Sequence, residues 1–145
     1  MIPPHTPDGL LPPGVHHAAW DEIVARFGVT AHRRRLLAGM RRALTELKVA
    51  GCTCAYLDGS FVTEKERPAD FDICYETRGV DPGLLHPVFL DFSSKRAAQK
   101  TRYLGEMFPA HSAASVGYSF FQFFQQDSES GAPKGIVAVD PRSLP

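Results

Sequence analysis

The chain predicts an α/β (α+β) domain in which helices flank a small mixed β-sheet. Two observations carry that expectation. Near the N-terminal end, apolar residues recur with helical spacing. Further on, short apolar runs bounded by glycine, proline and serine read as strands. The bulk numbers agree. At 145 residues the chain is long enough for one domain with a sizeable core. Its composition, 43% hydrophobic and 22% charged, is that of an ordinary globular protein. The formal net charge is zero, so no global field draws it to nucleic acid or membrane, and such binding needs a local patch. Three cysteines, an odd number, argue against a disulfide framework and fit a reducing, cytoplasmic setting. Cys52, Cys54 and Cys74 lack paired zinc-site spacing and read as small buried residues. No run approaches a membrane span, and the start of the chain does not read as a signal peptide.

Residues 1–14, with five prolines, read as an extended lead-in, and 15–145 as a single domain. Trp20, Ile23, Val24 and Phe27 mark a short amphipathic helix that Gly28 stops. Thr30 is placed to cap a second helix. Its apolar stripe is Leu36, Leu37, Met40, Ala43, Leu44 and Leu47, and Gly51 ends it. Its arginines, Arg33, Arg34, Arg35, Arg41 and Arg42, read as a solvated face or, alternatively, a patch for RNA or an acidic partner. Strands are expected over 53–58, 69–76, 87–92 and 135–139. A tight turn into a short helix is expected from Gly59 to about Glu66. A cationic helix, capped by Ser93 or Ser94, is expected over Lys95 to about Glu106. An aromatic helix is expected near 115–126, with Phe120, Phe123 and Phe124 on one face, most simply for core packing.

The chemistry concentrates around the first two strands. Gly59-Ser60 ends the first, and Asp70-Phe71-Asp72 opens the second after nine intervening residues. On a strand, Asp70 and Asp72 point to one face and Phe71 and Ile73 to the other. Two adjacent carboxylates repel unless a cation lies between them, and a divalent metal carrying a nucleoside triphosphate supplies one. Asp91, flanked by Leu90 and Phe92 on the expected third strand, is placed to complete the set. Three carboxylates suit two Mg²⁺ (or Mn²⁺) ions about 3.5–4 Å apart. Gly59 lets backbone approach a phosphate closely, and Ser60 adds a donor. Thr63 and Lys65, on the same segment, are placed to touch a triphosphate, with Arg67 a further candidate. Lys95, Arg96, Lys100 and Arg102 read either as an ordinary charged helix face or as a grip on phosphate. Lys134 is a further candidate to enter from the last strand, and the six histidines are scattered without metal-ligand spacing.

The phrases Leu57-Asp58-Gly59-Ser60, Asp70-Phe71-Asp72-Ile73 and Leu90-Asp91-Phe92 resemble the signature of minimal nucleotidyltransferases of the DNA polymerase β superfamily. The resemblance covers roughly residues 52–93. Leu11-Pro12-Pro13-Gly14, Asp58 to Thr63 and Pro133-Lys134-Gly135-Ile136 also resemble a small bacterial family of this length with the same core. The resemblance implies a nucleotidyltransferase-like fold that transfers a nucleotidyl group from an NTP to a protein or RNA hydroxyl. It implies Asp70 and Asp72 bridging two metals, Asp91 on the metal that activates the acceptor, and Gly59 and Ser60 cradling the phosphates. It also implies a setting in toxin–antitoxin or phage-defence pairs. The alternative is an antitoxin or regulatory module that uses the fold to neutralise a partner. Where such families carry a small residue and Arg-Gly after Gly-Ser, this chain has Phe61-Val62-Thr63-Glu64-Lys65, a departure that bears on the triphosphate contacts.

Overall fold

Periodic apolar residues near the N-terminal end form helices where their spacing places them. The computed structural model describes residues 1–145. Helix α1 (Trp20–Phe27) and helix α2 (Ala31–Val49) turn Trp20, Ile23, Phe27, Leu36, Leu37, Met40, Leu44 and Leu47 inward. The Thr30 side chain accepts from the Arg33 amide and caps α2. None of the helices is long and apolar enough to cross a membrane.

The sheet that these helices cover has five strands. They are β1 (Val15–His17), β2 (Ala55–Asp58), β3 (Phe71–Tyr75), β4 (Gly105–Pro109) and, last in the chain, β7 (Ile136–Val139). Their spatial order is β1-β7-β2-β3-β4. The outer pairs, β1–β7 and β3–β4, are parallel, and β7–β2 and β2–β3 are antiparallel. The fold is therefore α+β with a mixed sheet. Strand alternation divides the residues cleanly. Ala55, Leu57, Phe71, Ile73, Tyr75, Met107, Val137 and Val139 join the helices in the main core. Tyr56, Cys74, Phe108, Ile136 and Ala138 form a smaller cluster on the opposite face, where Phe120, Phe121 and Phe124 pack against them. The lead-in belongs to the fold as well: Ile2 and Leu11 are buried in the main core.

Five expectations are corrected. Residues 87–92 form no strand. Pro87–Leu90 is a 3₁₀ turn, with Pro87 at its first position and the Val88 amide bonded to His86 Nδ1. Proline fixes φ and has no N–H for a ladder, so it suits a turn start. The edge of the sheet next to β3 is taken by β4 instead, in the stretch expected to end the cationic helix. That helix, α3 (Ser93–Tyr103), stops at Leu104, which is left-handed at φ 68°. Gly105 then fits where a Cβ would meet the Phe71 ring. The start of α3 is also not serine-capped. Ser94, Lys95 and Arg96 adopt left-handed φ of 50°, 54° and 60°, and right-handed helix begins after them. The aromatic helix near 115–126 is mostly hairpin: β5 (Ala113–Ser115) and β6 (Tyr118–Ser119) precede α4 (Phe120–Phe123). Gly117 at φ 82° reverses the chain there. After Gly59 the helix is a single 3₁₀ turn, Gly59–Val62, and does not reach Glu66.

Candidate active site

The ladder between β2 and β3 sets Asp58 directly opposite Asp72, and the ladder between β3 and β4 sets Asp72 beside Glu106. Residues paired in this way project to the same side. Three acidic side chains thus cross one end of the sheet on the face that the helices leave free, with Asp70 just before β3 on the same side. Apolar aromatics cover the rest of that face.

Asp58 is fully buried, and neither of its oxygens has a hydrogen-bond partner. Burial first, and then the neighbouring Asp72, push its carboxyl well above the usual carboxylate range, with Lys134 opposing. Burial of this kind favours the uncharged form of the carboxyl. Burial together with the charges of Asp70 and Glu106 raises Asp72 to about 8, against the pull of Lys134 and Arg96. Asp70 is raised by burial and by Glu106, and countered by Lys100, Arg96 and Lys65. Glu106 already has cations: Arg96 Nε lies 3.0 Å from Oε2 and Lys100 Nζ lies 2.9 Å from Oε1.

Gly59 is fixed by this arrangement. Its φ is +74°, and a Cβ there would run into the Asp72 carboxylate. Only glycine takes both the conformation and the approach. Beyond it opens a cleft of about 990 Å³. Gly59, Ser60, Thr63, Lys65, Asp72 and the buried Lys134 all border it. The segment 61–65 is tied down from behind by Arg33, which is buried in α2. Its guanidinium donates to the carbonyls of Phe61, Thr63 and Lys65 at 2.7, 2.9 and 2.6 Å.

Of the residues expected from the sequence, the structure gathers Gly59, Ser60, Thr63, Lys65 and Asp72 at one cleft, with Asp70 near Lys65 and Asp72. Asp91 is not on a strand beside Asp72. It sits at the end of the Pro87–Leu90 turn and accepts from the Ser93 amide and hydroxyl, at 3.0 and 2.5 Å. The register position beside Asp72 belongs to Glu106. Its signal was present as Leu104-Gly105, a helix-ending pair, followed by an acid among apolar residues. Arg33 was read as part of a solvated face, and only its neighbours Arg34, Arg35, Arg41 and Arg42 are exposed.

The donor chemistry suits a hard cation: the Asp72 carboxylate borders a polar cleft, with the Asp70 and Glu106 charges close enough to act on it. As the side chains stand, no three His, Cys, Asp or Glu groups converge at ligand geometry. Asp70, Asp72 and Glu106 are the residues that would hold such a cation, Glu106 on leaving its two ion pairs.

No curated protein and no solved structure matches the chain. One family model spans residues 3–140, from the lead-in through β7 and so across every residue of this site. The chain belongs to that family, described as a family of unknown function (DUF6932).

Proposed function

We propose that the protein is a metal-dependent nucleotidyltransferase that moves a nucleotidyl group from an NTP to a protein or RNA hydroxyl in the cytoplasm. A place in a toxin–antitoxin or phage-defence pair is part of the same proposal. One observation carries it: Asp72 lies against a left-handed Gly59 at the mouth of a cleft that Ser60, Thr63, Lys65 and Lys134 line. That is a carboxylate beside closely approachable backbone and cations, the combination that a metal triphosphate requires.

In the reaction, the acceptor oxygen bonds to the α-phosphorus and the bond from that phosphorus to pyrophosphate breaks. The hydroxyl proton passes to a site carboxylate. Mg²⁺ or Mn²⁺, when bound, neutralises the triphosphate and lowers the pKa of the acceptor hydroxyl. Asp70, Asp72 and Glu106 would hold it, Glu106 taking the role that the resemblance implies for Asp91. Ser60, Thr63, Lys65 and Lys134 receive the phosphates.

The test uses α-labelled NTPs, Mg²⁺ or Mn²⁺, and extracts that supply protein and RNA acceptors. The wild type transfers label. Asp70→Asn with Asp72→Asn lowers transfer at least 10³-fold, in line with losing an electrostatic centre of this kind. Transfer undiminished in the folded double variant would remove the mechanism. A second reading, a binding module that neutralises a partner, has one observation in its favour: Arg96 and Lys100 already neutralise Glu106. Co-purification of a partner that survives the double substitution, with no transfer by the wild type, would select that reading.

A further inference from the structure

Glu106 stands in register beside Asp72 yet faces two cations rather than an open cleft. Both cations come from α3. Arg96 reaches across the Phe108 ring, its guanidinium carbon 4.9 Å from the ring centroid. To do so it occupies the last of three consecutive left-handed residues. Left-handed geometry is unfavourable for any residue other than glycine. Something must hold that turn, and the contacts that Arg96 makes there are the Glu106 pair and the Phe108 face. Lys100, one turn further along α3, is held only at its tip and is partly exposed. Arg96 and Lys100 also sit near enough to Asp70 to oppose the rise in its pKa.

We propose that Arg96 and Lys100 are triphosphate ligands that Glu106 holds until a nucleotide arrives. This rests on the reading of the site given above. In the free protein the two cations satisfy the carboxylate and keep the acidic end from repelling itself. When a cation reaches Asp70 and Asp72, Glu106 turns to it. The two side chains are then released toward the phosphates that arrive with the metal. The charge inventory of the site is conserved, and a lone metal competes with Arg96 and Lys100 whereas a metal triphosphate recruits them. This separates two events that an ordinary charged helix face would not couple.

The experiment measures Mn²⁺ binding, with and without a non-hydrolysable NTP analogue, by calorimetry and by the Mn²⁺ paramagnetic resonance signal. In Arg96→Gln with Lys100→Gln, Mn²⁺ alone binds roughly 5- to 10-fold tighter, because two positive charges have left the site. The Mn²⁺-bound analogue binds roughly 10-fold weaker, because two phosphate contacts are gone. Lys100→Gln alone, at a partly exposed position, shows the same pair of opposite shifts at smaller size and guards against misfolding of the double variant. In Glu106→Gln the signs reverse: Mn²⁺ alone binds weaker, and the analogue without metal binds tighter. Shifts of the same sign for metal and analogue, or no Mn²⁺ binding by the wild type, would overturn the exchange. Opposite shifts in a protein that transfers no nucleotide would leave the exchange standing and remove the transferase reading.

Discussion

Asp72 carries the pH dependence of the site. Its carboxyl is raised from 3.8 to about 8 by burial, with Asp70 and Glu106 adding to it. Below about pH 4 the group is protonated whether the chain is folded or not, and it contributes nothing to the difference. Between about 4 and 8 the folded protein holds a proton that the unfolded chain has released, so stability falls as the pH rises through that window. Asp72→Asn removes this titration. In chelator-treated protein the variant gains on the wild type from pH 4 to pH 8, by on the order of 6 kcal/mol, and the gain levels off above pH 8. Urea unfolding of both proteins at several pH values measures it, and a constant difference would contradict the assignment. Asp58 adds in the same direction, since burial raises its carboxyl too.

The segment from Phe61 to Lys65 is shaped from behind by a helix rather than by its own sequence. Arg33 of α2 supplies donors to three of its carbonyls. Arg33→Ala leaves those acceptors without their charged partner and lowers stability by about 2–4 kcal/mol. Hydrogen exchange of the amides at 61–66 should quicken well before that of β3. Equal protection in the two proteins would show that the segment stands unaided. This element also shows what the sequence made legible. Apolar alternation located β2, β3 and β7, and helical spacing located α1 and α2, because in each the pattern and the burial share one period. Pro87 to Phe92 has a strand's composition but starts on a proline, which turned it into a 3₁₀ corner. Arg33 was hidden for a different reason: one residue of an arginine run faces inward, and composition is blind to which. The acid beside Asp72 in the sheet was misplaced for both reasons together. Asp91 occupied the false strand, and Glu106 lay inside a helix expected to run one turn too far.

Across the whole molecule, helices cover one face of the sheet and leave the other to an aromatic cluster and the acidic end. The last strand lies inside the sheet, between β1 and β2, and not at its edge. Both of its ladders therefore join residues far apart in the chain: Val15 with Ile136, and Tyr56 with Ala138. A chain stopped at Pro133 lacks this strand, and Leu57 and Tyr56 lose their neighbour on that side. Such a chain should show no cooperative urea transition by near-ultraviolet dichroism. A sharp transition would mean that the remaining strands close on their own. Long-range pairing of this kind also places refolding toward the slow, millisecond-to-second end of the scale. The interior position of β7 has a consequence for how the protein is made. On the ribosome, the acidic residues and Gly59 emerge long before the strand that closes the sheet. Until Val139 has cleared the exit tunnel the backbone edge of β2 stays open, and its unpaired N–H and C=O groups are free to pair with the wrong strand.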